Sequence, residues 1–120
     1  MKKYSIINPD PSLRRNLMAF GFECDEGWYP LIFELLDKIQ ETVDANPNYA
    51  DMEVTQVKEK FGTLRVYMNY EPDEIFDLIQ EYQKKSEATC EVCGELGELR
   101  ELKSRWLKTL CEKCYKYREK

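Results

Sequence analysis

Histidine is absent from this chain of 120 residues, and its absence removes most familiar catalytic arrangements. Histidine is a frequent general base and the commonest metal ligand, so Ser-His-Asp triads, Cys-His pairs and histidine metal sites are all excluded. Acid–base chemistry would have to rest on carboxylates, lysines or tyrosines. The chain has only five glycines, and none forms a glycine-rich loop of the kind that cradles phosphates. We therefore predict that the protein is not an enzyme.

Long apolar runs are also lacking, since no stretch approaches the roughly 18 residues that a membrane helix needs. The opening sequence MKKYSIINPDP has no apolar core typical of a signal peptide. We expect no membrane partner and a cytoplasmic location. Cysteines stay reduced in that compartment, so the five cysteines favour metal or redox chemistry over disulfides. Cys24, the unpaired one, is interpreted as a small buried side chain.

Charge is unevenly distributed along the chain. The formal net charge is −5, yet residues 100–120 carry eight basic and three acidic residues. A basic tail follows an acidic body. Such an asymmetry bears on the partners that the protein can attract.

Apolar periodicity predicts three helices and one β-hairpin. A short helix is expected over residues 10–20, and a second, longer one begins at Asp25 or Glu26, which would cap it. Two strands flank Gly62, with a register that is clear only in the second strand. Helical spacing returns in residues 73–85.

The stretch CEVCGELGELRELKSRWLKTLCEKC, residues 90–114, contains two Cys-x-x-Cys pairs 17 residues apart. Thiolates are preferred zinc ligands, and this interval is typical of a four-cysteine zinc site. Four cysteines close the coordination shell, so the ion is expected to be structural rather than catalytic. An iron–sulfur cluster and a redox-active Cys-x-x-Cys pair remain alternatives. The predicted Zn²⁺ ligands are Cys90, Cys93, Cys111 and Cys114.

The predicted fold class is α+β, with helices packed on a β-hairpin and a C-terminal four-cysteine zinc ribbon. Residues 1–88 would form the α+β body (helix, helix, β-hairpin, helix), and residues 89–120 would form the zinc ribbon and basic tail. The ribbon would be a hairpin in which Leu99, Trp106 and Leu110 pack beside the metal.

The octapeptide KEKFGTLR suggests one candidate binding surface. Lys58, Lys60 and Arg65 could project from the hairpin toward a phosphate or an acidic partner, with Trp28 or Tyr29 as a platform for a base. The alternative is a solvated hairpin face with the neighbouring phenylalanine, residue 61, in the core. The sequence favours that alternative.

The basic ribbon suggests a second candidate surface. Arg105 and Trp106, with the other basic residues of the tail, could line a nucleic acid and stack on its bases. The acidic body would repel phosphates, however, and lysine-rich ends often serve solubility. Nucleic-acid binding is therefore an alternative and not the leading hypothesis.

The segments DEGWYPLI and VTQVKEKFGTLRVY, followed by the two Cys-x-x-Cys pairs, resemble a family of small zinc-ribbon proteins of bacteriophages and prophages. The resemblance covers about residues 20–114, and VKEKFGTLR is its most specific part. It implies a phage or prophage origin and a body carrying a zinc ribbon. It implies no reaction.

The leading functional hypothesis is a binding protein that occupies a host protein, for example as an inhibitor of antiviral defence. It rests on small size, the resemblance, acidic charge and the missing catalytic groups. The alternatives are a nucleic-acid-binding zinc ribbon and a protein that sequesters a nucleotide signal at the hairpin.

Overall fold

The computed structural model describes residues 4–8, 18 and 21–119. The helix predicted over residues 10–20 lies outside them, apart from residue 18. The 3₁₀ turns Glu26–Trp28 and Pro47–Tyr49 accompany the helices and strands of the described residues. In chain order these are β1 (Phe22–Glu23), α1 (Tyr29–Asp44), β2 (Val54–Lys60), β3 (Thr63–Met68), α2 (Asp73–Ser86), β4 (Glu98–Glu101), β5 (Leu107–Leu110) and α3 (Glu112–Arg118).

Helix α1 supplies one face of the core, as its periodicity predicts. The predicted apolar positions are all buried, namely Ile32, Leu35, Leu36, Ile39 and Val43. The helix begins later than expected, at Tyr29, with a proline in its first turn where the missing N–H costs nothing. Asp25 is extended and makes no side-chain cap hydrogen bond, so the predicted capping role is wrong.

The hairpin of β2 and β3 is antiparallel, and β1 adds to β2 in parallel, giving the sheet order β1-β2-β3. The register shifts between Val54 and Gln56. A bulge of this kind adds one residue to a strand, so Val54 and Val57 both face the core despite their odd spacing. This irregularity explains why the sequence defined the register of only the second strand.

Phe61 and Gly62 form the two-residue turn of this hairpin, with φ angles of 53° and 80°. Two-residue hairpins favour turns with positive φ at both positions, which suits glycine or asparagine better than phenylalanine. The Phe61 side chain is 65% exposed. The expectation that this ring lies in the core is therefore wrong, because the turn projects it away from the body.

Helix α2 closes the core on the other side. Ile75, Ile79 and Tyr82 are buried as predicted. The Tyr82 hydroxyl donates to Glu34 of α1 over 2.7 Å, and Leu64 of β3 donates its N–H to the Ser86 hydroxyl oxygen over 2.9 Å. Two helices and the hairpin thus share one hydrophobic cluster, and the fold class is α+β.

The C-terminal segment, residues 89–119, has its own small sheet. Strands β4 and β5 pair in an antiparallel hairpin, and α3 follows. Of the side chains expected beside the metal, Leu110 is fully buried. Leu99 and Trp106 are 51% and 61% exposed, so that expectation is wrong for both. Among the helices described here, none has the length and apolar character needed to cross a membrane.

Candidate metal centre

The four predicted ligands converge at one point. One sulfur from each of Cys90, Cys93, Cys111 and Cys114 lies within 4.8 Å of the others. A tetrahedral zinc ion with Zn–S bonds of about 2.3 Å would set its sulfurs about 3.8 Å apart. The Sγ atoms of Cys93 and Cys111 are 3.6 Å apart. The group is therefore a tetrathiolate-like site suited to a metal ion.

The first Cys-x-x-Cys pair is shaped by a tight turn. The N–H of Gly94 donates to the carbonyl oxygen of Cys90 over 2.9 Å, and the N–H of Cys90 donates to the carbonyl oxygen of Glu95 over 2.7 Å. Gly94 has a φ of 84°, a left-handed conformation that glycine adopts without steric cost. The glycine after the second cysteine therefore allows the chain to fold back around the sulfurs.

The second pair is shaped by the start of α3. Cys111 precedes the helix, and its sulfur accepts a hydrogen bond from the N–H of Cys114 over 3.4 Å. One helical turn brings the two sulfurs to the same side. Strand β4 follows the first cysteine pair and β5 precedes the second, so the antiparallel pairing of these strands places the two cysteine pairs side by side.

The thiols differ in acidity. Burial alone would raise the pKa of Cys90, but backbone N–H groups of Cys111, Cys93 and Val92 outweigh it and lower the pKa to about 7. Burial, together with the neighbouring thiols, raises the pKa of Cys114 to about 12. Four adjacent thiolates repel one another, and a divalent cation relieves that repulsion. The donor set thus fits a metal ion that deprotonates all four sulfurs.

A network of charged side chains includes Glu91, which lies between the two cysteines of the first pair. Lys108 Nζ is 2.8 Å from an Asp25 carboxylate oxygen and 3.1 Å from a Glu91 oxygen. Glu91 is only 1% exposed, and its other oxygen accepts the N–H of Asp25 over 2.9 Å. Burial tends to lower the pKa of Lys108, but the two carboxylates outweigh it and raise the pKa. Sequence reasoning missed this network because its members are far apart in the chain.

The same region joins the metal centre to the body through backbone contacts. A Cβ atom on Gly27 would overlap the carbonyl oxygens of Cys90 and Glu91. The indole N–H of Trp28 donates to the carbonyl oxygen of Thr89 over 2.8 Å. The turn that precedes α1 is therefore seated on the first Cys-x-x-Cys pair.

One of the candidate binding residues is not available as predicted. Trp28 is fully buried, so its proposed role as a platform for a base is wrong. Arg65 lies directly opposite Lys58 in the β2–β3 register, so it shares a sheet face with the two hairpin lysines. Its side chain donates to the Thr63 hydroxyl oxygen over 3.0 Å and lines a hollow beside α2. Tyr29 is half-buried and packs edge-on against Phe22, with ring centroids 5.4 Å apart.

The remaining candidates meet in one place that sequence reasoning did not foresee. A cavity of about 530 Å³ lies between the tip of the β2–β3 hairpin and the connection from β4 to β5. We call it the hairpin cleft. Its wall includes the cations Lys58, Lys60 and Arg105 and the aromatic rings of Phe61 and Trp106. Residues that the sequence assigned to two separate surfaces thus line a single cavity.

Comparisons of the chain with protein-family models, with curated proteins and with solved structures gave no match. The geometry of the site therefore carries the functional argument.

Proposed function

We propose that the chain is a small, non-enzymatic zinc protein of phage origin that acts by binding a host protein. The observation that carries the proposal is the cluster of four cysteine sulfurs within 4.8 Å of one another. Zinc bound by four thiolates in a tetrahedron has no free position for water or substrate. The ion would then serve the fold, and the activity would lie in the protein surface.

In this proposal the cysteines at 90, 93, 111 and 114 hold Zn²⁺ and the segment between them forms a zinc ribbon. The ion supplies binding free energy that stabilises the fold. Beneath it the described residues provide only a small cluster of Cys90, Leu102 and Leu110, too few to order such a segment by burial alone. The binding free energy of a structural ion would supply the stability that this small apolar cluster does not.

A binding role is supported by apolar side chains that the fold leaves in solvent. Leu96 is 82% exposed and Tyr117 is 77% exposed, in addition to Phe61 and Trp106. Exposed aromatic and aliphatic groups commonly anchor protein interfaces. The sequence resemblance to phage proteins supports a host protein, such as a component of antiviral defence, as the partner.

Metal analysis tests the first half of the proposal. The purified chain should contain one zinc per molecule, and Co²⁺ substitution should give the absorption bands of tetrahedral thiolate coordination. Cys93→Ser should lower the zinc content, whereas Cys24→Ser, which changes a thiol outside the cluster, should retain it. A chain purified with an iron–sulfur chromophore, or one that binds no metal, would overturn the assignment.

Partner capture tests the second half. Zinc-loaded protein immobilised in a bacterial lysate at moderate salt should retain one host protein, and the two purified proteins should form a complex of fixed stoichiometry. The phage–host proposal also requires that this complex changes the activity of the host protein. Failure to recover any stoichiometric protein would contradict it.

A further inference from the structure

We infer that the hairpin cleft binds a free nucleotide, which stacks its base on Phe61 or Trp106 and places its phosphates near Lys58, Lys60 and Arg105. The residue set differs from the one that the sequence suggested. Trp28, Tyr29 and Arg65 do not line the cleft, whereas Phe61, Arg105 and Trp106 do.

The size of the cleft suits one small ligand. Its volume of about 530 Å³ falls within the range of about 300–1,000 Å³ found for small-molecule sites. Among the described aromatic residues, no ring contact joins Phe61 to Trp106. Both rings are more than half exposed, so each keeps surface for a planar group, although Lys60 Nζ lies over one face of Phe61.

The cations of the cleft lack protein counter-ions. Within the described part of the chain, no ion pair involves Lys58, Lys60 or Arg105. The two acidic residues of the wall have other partners, since Glu59 accepts the N–H of Gly62 and Glu23 accepts the side-chain amide of Gln56. Lys60 Nζ lies over the Phe61 ring, 5.7 Å from its centroid, and this contact leaves its charge without a counter-ion. Three cations without a salt bridge complement a phosphate group, and the two carboxylates can accept hydrogen bonds from ribose hydroxyls or base amino groups.

The backbone of the cleft is in an uncommon conformation. In the described residues, positive φ outside glycine occurs only at Phe61 (53°) and Arg105 (72°), and both residues line the cleft. Bulky side chains rarely adopt this region, and such outliers concentrate at functional sites. An asparagine or glycine would suit the hairpin turn better, so the phenylalanine ring at this position is not explained by turn formation.

The two sides of the cleft are held together. The Thr109 hydroxyl donates to the Gly62 carbonyl oxygen over 2.7 Å, in a buried hydrogen bond between the two hairpins. Gly62 also packs closely on a Leu99 methyl group and the Lys108 backbone. This contact fixes the tip of one hairpin against the strand of the other, so the cleft is formed before a ligand arrives.

Charge favours a free nucleotide over a nucleic-acid strand. The chain has a formal net charge of −5, which repels a polyanion at long range. A single nucleotide needs only a local excess of positive charge, and the three cations of the wall outnumber its two carboxylates. A strand would need a cationic groove several nucleotides long, whereas this cavity accommodates one ligand.

Tryptophan fluorescence provides the readout. The chain has two tryptophans, of which Trp28 is buried and Trp106 is 61% exposed in the cleft. We would titrate the zinc-loaded protein with AMP, ATP and GTP, and with adenosine and inorganic phosphate as partial ligands. Saturable quenching by at least one nucleotide is expected, with an affinity about tenfold or more above that of either partial ligand, since stacking and phosphate contacts both contribute.

Variants separate binding from folding. Lys60→Ala and Trp106→Ala, the latter followed by calorimetry, should each weaken nucleotide binding about tenfold. Lys116→Ala is the matched control, because Lys116 pairs with Glu112 on α3, outside the cleft. Phe61→Asn is the sharpest variant: it should leave the unfolding midpoint unchanged or higher and still lower the affinity.

Three results would overturn the inference. The first is the absence of saturable binding by all three nucleotides. The second is equal loss of affinity in Lys60→Ala and Lys116→Ala, which would indicate general charge attraction. The third is binding of an oligothymidylate without binding of any free nucleotide, which would assign the cleft to single-stranded nucleic acid. These measurements use no protein partner, so their failure leaves the proposed host interaction standing.

Discussion

The body and the C-terminal segment differ in how much buried apolar surface is available to stabilise them. The body places 16 buried side chains in one described cluster, most of them from α1, α2 and the β2–β3 hairpin. The described C-terminal segment has three, and one of them is the candidate metal ligand Cys90. Apolar burial scales with the number of side chains removed from water, so the first region can be stable by packing and the second cannot. In that segment the four clustered sulfurs, if they bind an ion as we propose, would take the place of a larger core.

Removing the metal should have the largest effect on stability. It tests most directly whether the two regions are stabilised in different ways. A structural thiolate site contributes on the order of 10 kcal/mol of binding free energy. A strong chelator should therefore unfold the C-terminal segment while α1 and α2 keep slow amide exchange. Hydrogen exchange read by mass spectrometry follows the two regions separately. Equal protection of both regions after complete zinc removal would contradict a structural role for the ion.

Acid should act in the same direction as the chelator. Protons compete with the metal for thiolates, and the pKa of Cys114 is raised to about 12 in the absence of a metal. The apparent zinc affinity should therefore rise with pH, and zinc binding near neutral pH should release protons. Calorimetry in buffers of different ionisation enthalpy measures that release.

A cavity made in the core of the body should cause the next largest loss of stability. The loss should fall on the body and not on the C-terminal segment. Leu36→Ala removes a side chain that is only 1% exposed, which should cost about 2–5 kcal/mol of unfolding free energy. Denaturant unfolding measures the loss. Zinc content should stay at one per chain. Leu96→Ala, at a position 82% exposed, is the matched control and should change stability little.

Breaking the charge network should weaken the junction between the two regions. Lys108→Met leaves Glu91 buried without its cation, which should cost about 3 kcal/mol. Adding Glu91→Gln should recover part of that loss, because the uncompensated charge is gone. Lys116→Met, which removes an exposed lysine paired with Glu112, should be nearly neutral. A neutral Lys108→Met would show that the network contributes no net stability.

The smallest effect expected is that of the hydrogen bond between the hairpins. Thr109→Val keeps the shape of the side chain but leaves the Gly62 carbonyl oxygen without this donor. The loss should be about 1 kcal/mol, detectable as a small shift of the unfolding midpoint. Thr42→Val is the control, since that hydroxyl bonds within its own helix, to the Lys38 carbonyl oxygen.

The sequence predicted those features that depend on neighbours in the chain. The apolar faces of α1 and α2 follow from a period of 3.6 residues, and the four ligands follow from the spacing of two Cys-x-x-Cys pairs. It failed where a contact joins distant segments. Asp25 was interpreted as a helix cap, whereas its carboxylate binds Lys108.

The hairpin cleft shows the same limit. Phe61 and Trp106 are 45 positions apart in the sequence, and no local pattern indicates that they line one cavity. Both were also expected to pack against apolar neighbours, because large aromatic rings usually do. Their exposure depends on turn geometry and on the docking of two hairpins, which the periodicity of either strand does not encode.

The close backbone contact between Gly27 and the first cysteine pair has a consequence for the order in which the protein folds during synthesis. Synthesis delivers the entrance of α1 early, but the backbone that presses on Gly27 comes from residues 90 and 91. During translation the Trp28 indole N–H cannot reach the Thr89 carbonyl oxygen until residue 89 has been synthesised. The N-terminal end of α1 therefore gains its final contacts only after the first Cys-x-x-Cys pair has been made.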